Sequence, residues 1–256
     1  MKLCRVPLPL SKQRKWGRQK REMIWPQPSS YKDGWIDMSY LRDTVIILKN
    51  EPFREQDSWV TMYGRQFGKL QAVARGARRA SAKSLGHLEP LSEVEVMIAK
   101  GVSFDKLAVA HAIHPRVVLR EELGMIALAC GFADLVDVLT KPGLEDRAIF
   151  DLCIELFSLS QSETFSLARF QLLFAGATLR LLDLLGYAPA VSEIEISEDG
   201  RRMLHFMRRR PLSELLKITA PASLFFEISR VMDDCVKLAP WYKQPHGSRT
   251  LASILS

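Results

Sequence analysis

Between residues 44 and 110 lie short segments rich in apolar residues, and several of them alternate apolar and polar positions with the two-residue period of β-strands. In one segment, Val60 and Met62 lie on one face, and Trp59, Thr61 and Tyr63 lie on the other. Turn-forming residues separate the segments. The pattern predicts five strands, over Thr44–Lys49, Ser58–Tyr63, Lys69–Ala74, Glu93–Ala99 and Phe104–Ala110.

The spacing of these strands predicts a small closed barrel. Three connections are short, and one long connection separates the third strand from the fourth. An OB-fold is a five-stranded Greek-key barrel of this size, and we expect one over residues 38–114. The same spacing is also compatible with an SH3-like barrel.

Residues 115–256 carry apolar residues at helical spacing. The pattern predicts helices over Arg120–Leu139, Arg147–Leu159, Thr164–Leu185 and Ala222–Leu238, with another beginning near Pro211. Gly186 is expected to end the third helix. Residues 191–207 interrupt the helices, and Glu198-Asp199-Gly200 is typical of the turn of a β-hairpin. The predicted fold is therefore α+β, with a barrel followed by a helical domain that carries a small hairpin insertion.

The first 37 residues differ in composition from the rest of the chain. They contain nine Lys or Arg and three Asp or Glu, and they show no clear periodicity. This composition is typical of a disordered basic extension, which would add phosphate affinity, and Met38 is an alternative start. Most of the net charge of +7 belongs to this segment, so the overall charge is weak evidence for a binding surface.

Several classes of protein are disfavoured by the sequence. No apolar run approaches the roughly 20 residues of a membrane span, and Pro7 and Pro9 interrupt the only apolar run near the N-terminus. The four cysteines form no C-x-x-C pair, so we expect neither a disulfide framework nor a zinc site. A reducing compartment is the natural interpretation.

The search for catalytic motifs gives no candidate. The run Gly64–Leu70 (GRQFGKL) resembles a phosphate loop, but its glycines are one residue too close and Leu70 replaces the magnesium-binding hydroxyl. His111 and His114 lack further metal ligands nearby in sequence. We therefore expect no catalytic residue, no cofactor and no metal. An enzyme with a dispersed site, such as a nuclease, remains an alternative.

One basic stretch is dense enough to predict a binding surface. Its six cations are Arg65, Lys69, Arg75, Arg78, Arg79 and Lys83, and no acidic residue occurs before Glu89. Arginine forks match phosphate geometry, so these six residues are predicted to bind nucleic acid. Tyr63 and Phe67 are candidate base-stacking residues beside them. The contact surface is thus expected along one edge of the barrel.

Several short runs carry a family resemblance. They are Phe53–Asp57 (FREQD), Tyr63–Leu70 (YGRQFGKL), Ala74–Arg79 (ARGARR), Lys83-Ser84, Glu89–Leu91 (EPL), Leu182–Pro189 (LDLLGYAP) and Gly247–Leu251 (GSRTL). In this order they resemble the motifs of the bacterial recombination mediator RecO. The resemblance extends over residues 44–256, and its first cluster is the most specific part.

The resemblance implies an OB domain followed by a helical domain. It also implies binding of single- and double-stranded DNA, strand annealing, and cooperation with RecR and with the C-terminal tail of the single-strand-binding protein in loading the recombinase RecA. The location implied is the bacterial cytoplasm, in association with the nucleoid. Many family members carry two Cys pairs in a zinc finger, whereas residues 191–206 contain no Cys. An OB-fold protein that acts on RNA is the alternative binding module.

Overall fold

A computed structural model of the chain describes residues 40–79, 87–116, 123–159, 167–188, 190–191 and 194–237. Within these ranges the strands are β1 Tyr40–Phe53, β2 Asp57–Gly64, β3 Gly68–Ala74, β4 Glu93–Ala99 and β5 Lys106–His114. The helices are α1 Leu123–Leu139, α2 Arg147–Phe157, α3 Leu167–Leu185, α4 Glu198–Arg209, α5 Leu212–Leu215 and α6 Ala222–Lys237. The basic extension, Met38 and Lys83 lie outside the described residues.

The five strands form a closed barrel in the order β1-β2-β3-β5-β4. Neighbouring strands are antiparallel except β3 and β5, which pair in parallel through Val73 and Lys106. The long strand β1 pairs with β4 along its first half and with β2 along its second half, and thereby closes the sheet. This strand order is that of an OB-fold, which confirms the predicted fold class and decides against the SH3-like alternative.

The barrel interior is filled by the inward-facing residues of the alternating pattern. Val60 and Met62 of β2 pack there with residues of the other strands, and all of them are buried. Fully burying such a side chain contributes about 1.5–3 kcal/mol. Strand β4 has the predicted bounds, whereas β1 is longer than predicted and β5 begins and ends later in the sequence.

The helices pack around α3, which contacts α1, α2, α4, α5 and α6. Gly186, at a φ of 75°, ends α3 as predicted. Its N–H donates to the carbonyl of Asp183, and the next N–H, of Tyr187, donates to that of Leu182 at 2.8 Å. These two bonds satisfy carbonyls that the helix end leaves unpaired. None of the described helices is long and apolar enough to cross a membrane.

The hairpin predicted within residues 191–207 is wrong, because this segment enters helix α4 at Glu198. The Ser197 side chain accepts a hydrogen bond from the Gly200 N–H, so the supposed turn is a helix N-terminus. Met203, Leu204 and Met207 are buried at helical spacing. The acidic first turn and the basic last turn of α4 also favour a helix through its dipole.

The barrel and the helices share one buried interface. Ile46, Leu48, Tyr63 and Leu91 leave the barrel wall and pack in the same hydrophobic cluster as the helices. Arg116 fixes the junction, since its guanidinium bonds to Glu93 of β4 at 3.1 Å and to the Ser158 hydroxyl at 2.8 Å. The helices therefore cover part of the outer face of β1 and β2.

Candidate nucleic-acid interface

The basic stretch of the sequence is divided in space by strand β3. Arg65 lies in the β2–β3 turn, whereas Arg75, Arg78 and Arg79 lie in the loop that leaves the opposite end of β3. Seven residues of strand at about 3.3 Å each place these two groups roughly 20 Å apart. The four arginines are exposed, but they do not form one continuous patch.

The loop over residues 75–79 is held in a defined conformation. Gly76 adopts a φ of 63°, and its N–H donates to the Asp57 carboxylate at 2.8 Å. The Arg78 N–H donates to the Gln56 carbonyl at 3.0 Å, and the Arg79 guanidinium donates to the Gln56 side chain at 2.6 Å. These bonds tie the basic loop to the β1–β2 turn.

A further arginine in the β1–β2 turn was missed by the sequence prediction. Arg54 is exposed at a φ of 57°, and its guanidinium carbon lies 5.1 Å from the centroid of the Phe53 ring. At this distance the cation is attracted by the ring face. Arg54 therefore adds a fourth cation to the side of the barrel that carries Arg75, Arg78 and Arg79. Arg54 belongs to the Phe53–Asp57 run (FREQD), which carries part of the family resemblance and could have pointed to this residue.

Lys69 was predicted to bind nucleic acid, but it lies at the contact between the barrel and the helices. Its ammonium forms an ion pair with Asp137 of α1 and donates to the Asp137 carbonyl at 2.6 Å, and its side chain is only 11% exposed. The same carboxylate pairs with Lys49 at 2.8 Å. Lys69 thus joins the barrel to the helices, and we remove it from the candidate phosphate-binding residues.

Tyr63 is not a base-stacking residue, which corrects the prediction. Its side chain is fully buried, and its hydroxyl donates to the carbonyls of Leu144 and Asp146 at 3.4 and 3.3 Å. Burial raises the pKa of this hydroxyl above its ordinary value. Tyr63 lies on the face of β2 opposite Val60 and Met62, as the alternating pattern predicts, but the helical domain covers that part of the barrel.

Phe67 lies half-buried in the β2–β3 turn. The Asp43 carboxylate holds this turn, because it accepts hydrogen bonds from the N–H groups of Gln66 and Phe67, at 3.1 Å each. Burial raises the pKa of Asp43, although these two backbone donors act in the opposite direction. The turn also approaches the helical domain, where Gly68 pairs with Pro142. Phe67 is therefore distant from the arginines that follow β3.

An aromatic cluster of Phe53, Trp59 and Phe104 lies on the outer face of the barrel beside the basic loop. Its ring centroids are 5.5–5.8 Å apart, with the Phe104 ring edge-on to the other two. The rings come from β1, β2 and the β4–β5 loop, and they belong to neither hydrophobic core. Sequence reasoning missed the cluster, although it placed Trp59 on the strand face opposite Val60 and Met62.

Three connections thus meet at one end of the barrel, which we call the loop end. They are the β1–β2 turn, the loop over residues 75–79 and the β4–β5 loop, and a hydrogen bond of 2.8 Å from the Val73 N–H of β3 to the Asp105 carbonyl joins strand β3 to the β4–β5 loop. The loop end carries Arg54, Arg75, Arg78 and Arg79 together with the aromatic cluster. Among the described residues, no group of three or more His, Cys, Asp or Glu side chains is placed to hold a metal ion.

This arrangement defines a class of protein. OB-fold barrels bind their ligands on the face of β2 and β3 and through the β1–β2 and β4–β5 loops. These parts carry Arg54 and the aromatic rings, and the loop with Arg75, Arg78 and Arg79 follows β3 directly beside them. The chain is therefore an OB-fold protein with a helical domain attached. Residues 38–116 match the family model described as "Recombination protein O N terminal", so over these residues the chain is similar to that family.

Curated relatives agree with this assignment. The chain is 29% identical over 162 residues to a DNA repair protein RecO of Desulfitobacterium hafniense, an alignment that covers 62% of this chain and 56% of the relative. It is 30% identical over 155 residues to that of Cutibacterium acnes, covering 59% of this chain and 63% of the relative. It is 26% identical over 155 residues to the DNA repair protein RecO of Pelotomaculum thermopropionicum, an alignment that covers 60% of this chain and 58% of the relative. The aligned region spans less than two thirds of each of these relatives.

Proposed function

We propose that the chain is a DNA-binding recombination mediator that acts in DNA repair, anneals complementary strands and helps to load a recombinase on single-stranded DNA. The observation that carries the proposal is the loop end, where four exposed arginines surround the ligand-binding loops of an OB barrel. The names of the relatives, DNA repair proteins RecO, supply the biological context.

The arginines account for the annealing step in physical terms. Two complementary strands repel each other through their phosphates, and cations that bind phosphate reduce this repulsion. Arg75, Arg78 and Arg79 extend from a loop whose backbone is fixed by bonds to Gln56 and Asp57, so their positions are set before DNA arrives. Such preorganisation lowers the entropic cost of binding.

The helical domain supplies a surface for protein partners in this proposal. A groove between α4 and α6 is lined by apolar residues such as Met203, Phe206 and Phe226, and the Phe226 side chain is 70% exposed. Arg202 and Arg230 also line it and offer cations to a terminal carboxylate. We propose that this groove receives the C-terminal tail of the single-strand-binding protein, while RecR and RecA are partners implied by the family.

The proposal is tested by annealing of two labelled complementary strands. The triple variant Arg75→Glu, Arg78→Glu, Arg79→Glu should lose most of the annealing rate and of the salt-dependent affinity for DNA. The matched control is Arg147→Glu, Arg209→Glu, Lys217→Glu, which changes the net charge equally at exposed positions of the helical domain outside the proposed partner groove. Full activity of the first variant, or an equal loss in both, would contradict the site.

The same assay separates the partner surface from the DNA surface. On strands coated with the single-strand-binding protein, Phe226→Ala should slow annealing, whereas on bare strands it should act like the unaltered chain. Equal behaviour on coated and bare strands would remove the groove from the proposal. Competition between DNA and RNA strands of matched sequence tests the RNA-binding alternative, which requires that RNA compete better.

A further inference from the structure

The aromatic cluster presents an exposed apolar surface without a packing role in either core. Phe104 is 42% exposed, and Phe53 and Trp59 are partly exposed. Core aromatic residues of this chain, such as Phe132 and Phe157, are instead fully or almost fully buried. Exposed aromatic rings keep apolar area in contact with water, and a ligand that covers them would remove it.

The Phe104 ring is held in place by the backbone of the β4–β5 loop. The Asp105 carboxylate accepts hydrogen bonds from the Lys100 ammonium at 2.8 Å and from the Gly101 N–H at 3.2 Å. A side chain at Gly101 would overlap the Phe104 carbonyl oxygen, so the tight loop depends on this glycine. The ring is therefore positioned in the free protein.

Cations border the cluster on the side of the β1–β2 turn. Arg54 lies over the Phe53 ring, and the bond from the Arg78 N–H to the Gln56 carbonyl holds the basic loop against the same turn. Aromatic side chains beside a row of cations are the arrangement that binds a single strand, because bases stack on the rings while phosphates contact the cations. A double helix keeps its bases stacked on one another and offers mainly its phosphates.

We propose that Phe104 and Trp59 stack bases of a single nucleic-acid strand, and that the cluster gives the barrel a preference for single strands over duplexes. This inference rests on the proposed function, and it adds which chemical part of the nucleic acid the barrel distinguishes. The arginines of the loop end bind single strands and duplexes alike. The aromatic cluster acts only where bases are unpaired.

The test measures the affinity of the full chain for three labelled ligands of equal length at one salt concentration. The ligands are a thymidine oligonucleotide, the same backbone without bases, and a duplex. Phe104→Ala should weaken binding of the thymidine strand on the order of 10-fold, because one stacked base is lost. Binding of the baseless strand and of the duplex should keep the values of the unaltered chain.

Two further variants separate stacking from packing. Phe104→Leu keeps an apolar side chain but lacks a ring, so it should lose affinity as Phe104→Ala does, whereas Phe104→Tyr should restore it. The chain contains five tryptophans, so the Trp59 signal is obtained as a difference. The fluorescence quench on binding the thymidine strand should be smaller in Trp59→Phe than in the unaltered chain.

The outcomes distinguish this inference from the proposed function. Equal weakening of all three ligands by Phe104→Ala would show that the ring only supports the barrel, and an unchanged affinity for the thymidine strand would show that it stacks no base. Either result overturns the inference while the arginine variants still test DNA binding. A chain that binds none of the three ligands would overturn both.

Discussion

At the scale of single residues, Asp137 shows how the helical domain is attached to the barrel. Its carboxylate binds the ammonium groups of Lys49 and Lys69, and Lys49 also pairs with Asp134 at 3.1 Å. Burial alone would raise the pKa of Asp137, but the hydrogen bonds and charges of the two lysines outweigh it and hold the pKa below the ordinary value of 3.8. The ionised carboxylate is therefore the form that stabilises the interface.

We predict that Asp137→Asn lowers the free energy of unfolding by about 2 kcal/mol near neutral pH, because two partly buried ammonium groups lose their shared carboxylate. The pKa of this group is lower in the folded state than in the unfolded chain, so its contribution is complete above the unfolded value and disappears as the pH falls through the folded value. Urea unfolding of both proteins at several pH values measures this. A destabilisation of the same size at acidic pH would contradict the assignment.

At the scale of elements, α4 depends on its first turn. The Ser197 side chain accepts a hydrogen bond from the Gly200 N–H at 3.1 Å and donates one to the Glu227 carboxylate of α6 at 2.6 Å. The hydrogen bonds that the Ser197 hydroxyl and the Ser197 N–H donate to Glu227 lower the pKa of that carboxylate. One serine thus both caps α4 and connects it to α6.

We predict that Ser197→Ala lowers the free energy of unfolding by about 1 kcal/mol, the usual loss for a removed N-cap. Ser197→Asp is the matched comparison, because aspartate caps a helix equally well but would face Glu227. The Ser197→Asp variant should therefore be more stable than Ser197→Ala, but repulsion from Glu227 should keep its free energy of unfolding below that of the unaltered chain. Thermal unfolding followed by circular dichroism measures both, and an unaffected Ser197→Ala would argue against α4 as the structure has it.

At the scale of the whole molecule, the candidate DNA-binding cations at the loop end are fewer than the cations of the basic stretch. Lys69 is used at the helical interface, and Arg65 lies at the other end of β3, whereas Arg54 joins the loop end. Four arginines therefore remain at the loop end as candidates for contacts with one strand. The candidate binding surface and the helical attachment lie at opposite ends of the outer face of β2 and β3.

The number of cations gives a prediction for salt dependence. Each phosphate contact on a single strand contributes roughly −0.7 to the slope of log affinity against log salt, so four arginines give a slope of about −3. Arg78→Gln should reduce its magnitude by about 0.7. Lys69→Gln should leave the slope unaltered and lower the stability instead. If Lys69→Gln reduced the slope and Arg78→Gln did not, Lys69 would be the residue that contacts phosphate, and the assignment of Arg78 would be contradicted.

The success of the sequence prediction differed between elements for identifiable reasons. Strand β4 has the predicted bounds, because its alternating pattern lies within a few residues. Gly186 ends α3 as predicted, because a glycine readily adopts the left-handed backbone conformation that ends a helix. The hairpin was wrong because Glu198-Asp199-Gly200 suits both a turn and the first turn of a capped helix. Burial of Met203 and Met207 and the contact of Ser197 with Glu227 favour the helix, and these depend on distant residues.

The sequence by itself determined the barrel, the helical character of the second half and the density of cations after β2. The sequence could not decide which residues of the outer face stay exposed. The two-residue period distinguishes the two faces of a strand, but it does not tell whether another part of the protein packs on the outer face. Packing of the helices buries Tyr63 and engages Lys69. Closure of the barrel brings Phe53, Trp59 and Phe104 together from three separate segments. The candidate site is therefore a property of the tertiary structure, since its rings and cations meet only when the loops converge.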